Sequence, residues 1–390
     1  MATGANEKYW ENSRLPGVLK LTLISKYLPV FLFRTGSVGK EVAYVDGFAG
    51  RGVYDNGDFG SPGIVLELAA GQAAADTATR ISLYLCEKDQ KSHAELAILV
   101  DQYKQRNIDV EVECGDARAH LLATLPKVSK VPAFIFEDPT GIGVPFDDLV
   151  AAMNRSGDKP WPPTELLLNL SLEAIRRIGG LAASENPNAK TLARLDEALG
   201  GDWWQQHFKQ GVSQRAVHDA VEEFTQRLAE ATGAKVVYAP VRRASHHQPI
   251  YHLVFATRHP GGIWQFAHNA ALATEAWWQA ADEIELERRD NSDGDQLSLI
   301  ELPRETGRPT LANIESEAIP VIAENIARLV EKHGQITLGE YPVEVFGDYF
   351  GRVRESTARS AVKQLHQQRR TPSDGKGGKP EKLVVRCAEY

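Results

Sequence analysis

Cysteine, methionine and long apolar runs are all scarce in this chain. Its 390 residues include three cysteines and two methionines. Cys86, Cys114 and Cys387 fall at spacings that match neither a disulfide framework nor a zinc site, which suits a reducing, cytoplasmic setting. None follows a proline or lies beside a candidate base, so all three are expected as buried structural thiols. No eighteen consecutive apolar residues occur, so no membrane-spanning helix is expected. The segment Met1–Lys8 is short and polar, without the apolar core of a signal peptide. His246, His247 and His252 have no carboxylate or cysteine at ligand spacing, so no metal is expected.

What is present suits packed cores: 43% hydrophobic residues over a length that predicts two or three domains. The net charge of −8 carries no whole-chain signal for a polyanion. Its distribution says more. Residues 351–386 hold ten Lys/Arg against three Asp/Glu, a local +7 that leaves −15 for the remainder. An acidic body with a basic end aims one face at nucleic acid; a solvated helix surface is the plainer reading of the same composition.

The first half alternates strand and helix signals, the pattern of a parallel sheet with crossover helices. Residues 17–34 predict an amphipathic helix bent or ended near Pro29. Strands are expected at 41–45, 81–86, 109–113, 133–136 and 165–170, with helices at 64–74, 90–106, 117–123 and 147–155. A helical stretch at 189–228 precedes strands at 235–241 and 250–257, which should be antiparallel neighbours because no helix separates them. Five parallel strands followed by an antiparallel hairpin is the order of a Rossmann-like class I methyltransferase sheet, and an α/β fold of that type is expected. A helix at 266–288 and a charged, weakly periodic stretch at 291–309 follow. Helices at 318–332, 343–350 and 356–368, a Gly/Lys turn and a strand at 382–386 then describe a winged helix-turn-helix. The expected domains are 1–290, a linker at 291–312, and 313–390.

Candidate chemistry begins at the end of the first strand, with Asp46-Gly47-Phe48-Ala49-Gly50-Arg51-Gly52. Glycines there let the backbone turn sharply against a ligand. Their spacing is not G-x-G-x-x-G, which argues against a nicotinamide enzyme. Asp46 suits a cofactor carrying a sulfonium and an ammonium, and would oppose a pyrophosphate. Glu87, directly after the second strand, could accept both ribose hydroxyls of an adenosine, the insertion at 54–63 accounting for its long separation from the turn. Asp116, after the third strand, could receive the adenine amino group. Each acid alone is as well explained by a turn or helix cap; three at successive strand ends predict an S-adenosylmethionine pocket formed by Asp46, Gly47, Phe48, Ala49, Gly50, Gly52, Glu87 and Asp116.

After the fourth strand comes Glu137-Asp138-Pro139-Thr140-Gly141. Enzymes that methylate base amino groups often carry Asp/Asn-Pro-Pro-aromatic here, the acid and a neighbouring carbonyl holding the amino group and the ring stacking on the base. Asp138, Pro139 and Thr140 are therefore the candidate catalytic segment, with Thr140-Gly141 instead of a stacking ring. The expected reaction is an in-line displacement by a neutral nucleophile, driven by orientation and desolvation, with Asp138 and also Glu137 available to align the acceptor. Methylation of a cytosine carbon is not expected, since it needs a cysteine nucleophile in this region. Pro139 simply ending a strand is the bland alternative.

The strings Tyr44-Val45-Asp46-Gly47-Phe48-Ala49-Gly50, Gly60-Ser61-Pro62-Gly63, Asp138-Pro139-Thr140-Gly141 and Leu253-Val254-Phe255-Ala256-Thr257-Arg258-His259 resemble the three-Cys-motif partner (TcmP) proteins. The resemblance spans about residues 17–270. It implies a class I methyltransferase fold, S-adenosylmethionine as cofactor, and a radical-SAM-like three-Cys-motif protein as a partner in a phage or defence context.

In the basic end, Arg352, Arg354, Arg359 and Lys363 fall on or before the expected third helix, with Arg369, Arg370, Lys376 and Lys379 toward the wing. A third helix entering a groove while a wing touches phosphate is how such modules dock; a partner-docking or dimerising winged helix is the alternative. Asn169-Leu170-Ser171 could border an acceptor pocket and Arg176-Arg177 could meet a phosphate, though caps and solvated charges explain them equally. Trp203-Trp204 and Trp277-Trp278 are expected to pack. The leading expectation is a methyltransferase acting on DNA or RNA; a non-catalytic nucleic-acid-binding partner of the three-Cys-motif protein stands beside it.

Overall fold

In the computed structural model, the described residues are 15–74, 79–104, 108–157, 159, 161–182, 184, 188–243, 247–292 and 309–388. The expected N-terminal segment 1–8, most of the linker and His246 lie outside them. The chain packs as two compact units, Ile24–Arg258 forming the body of one and His259 onward, with Val18–Leu23, the other.

The first unit is built on one seven-stranded sheet. In chain order its elements are α1 (Leu15–Gly39), β1 (Glu41–Asp46), α2 (Ser61–Ala74), β2 (Arg80–Glu87), α3 (Gln90–Lys104), β3 (Asp109–Cys114), α4 (Ala117–Lys127), β4 (Ala133–Glu137), α5 (Phe146–Met153) and β5 (Thr164–Ser171). Then follow α6 (Leu172–Ala182), α7 (Ala189–Leu199), a 3₁₀ turn (Trp203–Phe208), α8 (Gln214–Thr232), β6 (Lys235–Val241) and β7 (Tyr251–Thr257). The strand order is β3-β2-β1-β4-β5-β7-β6. Strands β1 to β5 pair in parallel, and β7 runs antiparallel to both β5 and β6. This is the Rossmann-like, class I methyltransferase-like sheet. Its order reverses between β1 and β4, and ligands of such sheets bind at the strand ends beside that switch point.

Burial on both faces explains the near-continuous apolar strands. On one face, Val45, Ile135, Leu166 and Val254 join Leu121, Leu149, Ile175, Trp204 and Phe224 in a large core. On the other, Tyr27 and Phe31 of α1 meet Phe134, and Tyr27 also lies edge-on to Phe255. Pro29 does not end α1, which runs on to Gly39. The burial of Tyr27, Leu28, Phe31 and Leu32 offsets the ~3 kcal/mol that an interior proline costs. By length and composition α1 could cross a membrane, although its apolar residues are interrupted by charges; 44% of its most apolar window is buried inside the protein.

Of the thiols, only Cys86 is buried; Cys114 and Cys387 are exposed, contrary to the expectation of three buried cysteines. Cys114 ends β3, the sheet's edge strand, which pairs only with β2 among the described strands. Burial pushes the Cys86 thiol up to about 12.

Two arginines tie loops on the first unit. Arg258 donates to the carbonyls of Met153 (2.7 Å) and Thr232 (2.6 Å), joining the ends of β7, α5 and α8. Arg155 does the same for the segments that precede β4 and β5.

Glu165, at the start of β5, is buried and accepts from Tyr27 (2.7 Å) and Thr257 (2.9 Å). Desolvation raises its pKa from 4.5 to about 7. The folded protein therefore holds this proton more tightly than the unfolded chain, and stability conferred by the neutral acid is lost as pH rises through that window. The Glu165→Gln variant should flatten the fall in unfolding free energy between about pH 5 and about pH 8 by on the order of 3 kcal/mol. Urea denaturation of both proteins at the two pH values measures it; parallel pH dependences would refute it.

The second unit contains α9 (Pro260–Ser292), α10 (Leu311–His333), β8 (Gln335–Thr337), α11 (Pro342–Phe346), α12 (Ser356–Gln367) and β9 (Val384–Arg386). Strands β8 and β9 pair antiparallel. Ala358, Ala361, Val362 and Leu365 of α12 are buried as their helical spacing requires, against Ile322, Ile326, Val345 and Val385. Trp264 and Ala267 of α9 belong to this core, and the Trp264 indole donates to Glu355 (2.8 Å).

Candidate active site at the carboxyl ends of the central strands

Parallel registers bring the relevant residues level. Asp46 stands opposite Phe136, Glu87 opposite Cys114, and Glu137 opposite Leu168, so Asp138 and Asn169 emerge side by side from β4 and β5.

The glycine turn after β1 is held from within. Asp46 is fully buried. It accepts from the Phe48 N–H (2.9 Å), the Tyr44 hydroxyl (3.1 Å) and the Ser61 hydroxyl (2.8 Å). Burial raises its pKa from 3.8 to about 7 against those stabilising bonds. The structure thus turns Asp46 inward as the brace of the turn.

The next amides are also committed: Gly47 N–H to Phe136 O (3.4 Å), Ala49 N–H to Cys86 O (2.9 Å), and Gly50 N–H to Glu87 Oε2 (2.8 Å). Four successive N–H groups thus already have acceptors. A pyrophosphate cradle needs such amides free, and here they are committed.

Gly52 has φ +83°, and a Cβ there would lie 2.6 Å from Leu99. A Cβ on Gly63 would lie 2.7 Å from the Gly52 carbonyl oxygen. The Gly60–Gly63 string is therefore the seat of the turn, locked by the Gly60 N–H to Gly52 O bond (2.8 Å).

Glu87 sits at the rim, half-buried, and its second oxygen accepts from Asp89 N–H (2.7 Å). Each oxygen retains a lone pair, so the group stays competent to receive hydroxyls. Asp116 is exposed, caps α4 through Arg118 N–H (3.1 Å) and pairs with Lys88 (3.3 Å). Its capping role is the one that its sequence position alone also explained.

Asp138 Oδ1 accepts from Asn169 Nδ2 at 2.8 Å. A carboxylate only accepts, which fixes the amide orientation and turns Asn169 Oδ1 away from Asp138. That oxygen is buried and has no hydrogen-bond partner among the described residues. Beside it lies an open cleft lined by Gly141, Ile142, Gly143, Val144, Leu168, Ser171 and Ile175, with Leu195 and Leu199 of α7. The strand-end pair thus sets a carboxylate and an amide oxygen side by side next to an aliphatic cleft. Pro139 is buried and Thr140 exposed. Sequence reading placed Asn169 at a pocket edge but could not pair it with Asp138, because strand adjacency is not written in sequence distance.

Other candidates settle into packing. Trp204 donates to Asp196 (2.8 Å) and Trp203 to Leu199 O (3.0 Å). Trp277 and Trp278 meet edge-on at 5.0 Å. His252 is buried and stacks on Tyr238 at 4.3 Å, and its pKa is pushed down to about 3, chiefly by desolvation. Arg176 is half-buried and Arg177 exposed, both on α6.

In the second unit the expected basic residues divide. Arg354 is bound bidentately by Glu315 (2.8 and 2.6 Å). Arg359 ties down the 375–378 turn through the carbonyls of Gly375, Gly377 (2.9 Å) and Gly378 (2.5 Å). Arg370 pairs with Glu324 (2.7 Å) and Lys376 with Asp374 (3.2 Å). Arg352, Lys363, Arg369, Lys376 and Lys379 are exposed.

No family model matches the chain, and no curated protein matches it. Among solved structures, a Legionella pneumophila protein of a domain family without assigned function is similar over 63% of this chain and 86% of its own, at 14% identity and a TM-score of 0.35. The methyltransferase domain of a bacterial Hen1 is similar over 60% of this chain and 99% of its own (11%, 0.30). The small RNA methyltransferase HEN1 is similar over 62% of this chain and 26% of its own (11%, 0.32). At these scores the fold rests on strand order and register, which are those of the class I methyltransferase-like sheet.

Proposed function

We propose that this chain is an S-adenosylmethionine-dependent methyltransferase of the TcmP type acting on an amino group of nucleic acid. The observation that carries the reading is the pairing of a turn whose amides are committed with the Asp138–Asn169 pair, which sets a carboxylate and an amide oxygen side by side. The first suits a cationic nucleoside cofactor, and the second suits a group that brings two hydrogens. S-adenosylmethionine, when bound, supplies an electrophilic methyl on a sulfonium. Gly47, Phe48, Ala49, Gly50 and Gly52 would line its backbone-facing side, with Glu87 at the ribose hydroxyls and Asp116 at the adenine edge. Asp138 and Asn169 would accept the two N–H hydrogens of the acceptor, orienting its lone pair, while the aliphatic cleft excludes water.

Incubation with methyl-labelled S-adenosylmethionine and mixed DNA and RNA, followed by nucleoside analysis, tests this directly. Label in a methylated amino nucleoside is expected; absence of label on every nucleoside would sink the enzymatic reading.

The second unit reads as a winged helix that supplies nucleic-acid affinity through its uncommitted cations. Lys363→Glu with Arg369→Glu should weaken binding about tenfold and reduce the salt slope by roughly two. Unchanged affinity and slope in a salt titration by fluorescence anisotropy would remove this surface from the proposal. A second reading, a non-catalytic partner of a radical-SAM-like three-Cys-motif protein, is favoured by one feature: the cleft beside Thr140 is lined by aliphatic residues where a stacking ring is expected.

A further inference from the structure

Arg176 and Arg177 follow the end of β5 on α6, on the stripe that Glu173 opens one turn earlier. Leu172, Ile175 and Ile178 bury the opposite side of that helix. By spacing Glu173 would be their partner, but it is held from outside the helix: Arg243 meets both its oxygens at 2.9 Å. Arg176 is half-buried and Arg177 exposed, and among the described residues neither has a hydrogen bond or an ion pair. Burial lowers the Arg176 pKa, with the Glu173 charge opposing that shift. A guanidinium partly withdrawn from water without an acceptor is costly, and an incoming anion removes that cost.

The sheet brings a second pair of arginines level with the first. Ser171, the last residue of β5, and Val241, the last of β6, stand opposite the same residue, Tyr251 of β7, on its two flanks. The chain therefore leaves both strands at one height, about 10 Å apart across two strand spacings. Arg242 and Arg243 follow β6 at that point. The first turn of α6 is tied to the same place, the Leu172 and Glu173 N–H groups donating to Ile250 O (3.0 and 3.2 Å). Arg242 and Arg176, with His218 of α8, also act together on His252 of β7, adding to the burial that holds its ring neutral. Two further acids, on α8, are engaged: Glu222 accepts from the Tyr238 hydroxyl and Asp219 pairs with Arg215 (3.6 Å). Arg176, Arg177, Arg242 and Arg243 thus share one carboxylate, and Arg177, Arg243 and His218 lie on open surface.

Along this edge of the sheet the charge changes sign. Asp138 and Asn169 stand at the ends of β4 and β5, Ser171 one pleat further along β5, and the arginines beyond it. We propose that Arg176 and Arg177, with Arg242 beside them, seat a backbone phosphate of the nucleic-acid substrate on the first unit. This rests on the nucleic-acid part of the reading above and adds to it a contact that does not involve the winged helix. An amino group of a base brings hydrogens to the carboxylate and amide oxygen, whereas the phosphates of the same strand are repelled by Asp138 and drawn to the arginines. A guanidinium fork meets two phosphate oxygens at once. The contact therefore sets the direction in which the nucleic-acid strand crosses the site as well as holding it.

Fluorescence anisotropy of the full chain with a labelled single-stranded oligonucleotide, titrated with salt, reads this contact. Arg176→Gln with Arg177→Gln should weaken binding about tenfold and lower the salt slope by roughly one to two. Glu173→Gln, which releases Arg243, should act in the opposite direction, tightening binding about threefold and steepening the slope by roughly one. Arg80→Gln with Lys104→Gln makes an equal change of charge toward the β3 edge of the sheet, and should leave affinity within about twofold. If the Arg176/Arg177 variant binds as the wild type does, or the Arg80/Lys104 variant loses as much, the phosphate seat is wrong while the nucleic-acid reading stands. If the wild-type protein binds no oligonucleotide, both are wrong. Displacement of the oligonucleotide by adenosine monophosphate at matched ionic strength, from the wild type and not from the Arg176/Arg177 variant, would assign the site to a free nucleotide and overturn the backbone contact. Should that variant fail to fold, Glu173→Gln decides the matter by the sign of its change.

Discussion

Asp138→Ala should lower methyl transfer by roughly a hundredfold or more while leaving S-adenosylhomocysteine affinity within about threefold. The split follows from position. Asp138 lies beyond the end of β4, joined to Asn169 on the neighbouring strand, and beside the aliphatic cleft. Its loss removes one acceptor and frees the Asn169 amide to rotate, so the acceptor group loses both its partners at once. The braces of the glycine turn, Asp46 and Glu87, are untouched. Asn169→Ala should produce a smaller loss, on the order of tenfold, because Asp138 remains. Label incorporation and calorimetry on the same preparations separate turnover from binding. If Asp138→Ala transfers methyl as the wild type does, the acceptor lies elsewhere; if it loses cofactor affinity in proportion, Asp138 serves the cofactor.

The largest expected effect on stability is at Arg155. Its guanidinium donates to Thr164 Oγ1 (2.9 Å), Val131 O (2.7 Å), Pro163 O (3.2 Å) and Val128 O. These carbonyls belong to the segments that lead into β4 and β5, the two strands that carry the candidate site. Desolvation lowers its pKa to about 10, which still leaves it charged at neutral pH. Arg155→Ala would strand the carbonyls of Val128, Val131 and Pro163 and should cost about 3 kcal/mol. Arg155→Lys should recover little, since one ammonium cannot reproduce a planar fork spread over several acceptors. Urea denaturation monitored by tryptophan fluorescence tests both. A loss below about 1 kcal/mol in the alanine variant would mean that water replaces the guanidinium at these carbonyls.

Much of this architecture was legible because its signals are local. Alternating strand and helix periodicity placed the five parallel strands and the antiparallel β6–β7 pair. The apolar face of α12 was readable from Ala358, Ala361, Val362 and Leu365 at helical spacing. Asp46, Glu87 and Asp138 announce themselves because each ends or follows a strand whose end can be located from the chain alone. Pro29 misled for the same reason: its local cost is visible in sequence, whereas the burial of Tyr27, Leu28, Phe31 and Leu32 that outweighs it is not. Cys114 likewise looked like a core thiol until β3 proved to be the edge of the sheet.

What the sequence determined by itself was therefore which residue types stand at which strand ends, and hence the class of the sheet. Tertiary structure alone decided what those residues do. It turned Asp46 inward, buried Glu137 against Gly47, paired Asp138 with Asn169 across β4 and β5, and assigned α9 to the core around Trp264. It also divided the cations near α12 between internal braces, such as Arg354 and Arg359, and exposed ones, such as Lys363 and Arg369. The physical reason is common to all of these. A carboxylate's or guanidinium's role depends on whether water, a backbone amide or a like charge surrounds it, and those neighbours come from segments far apart in the chain.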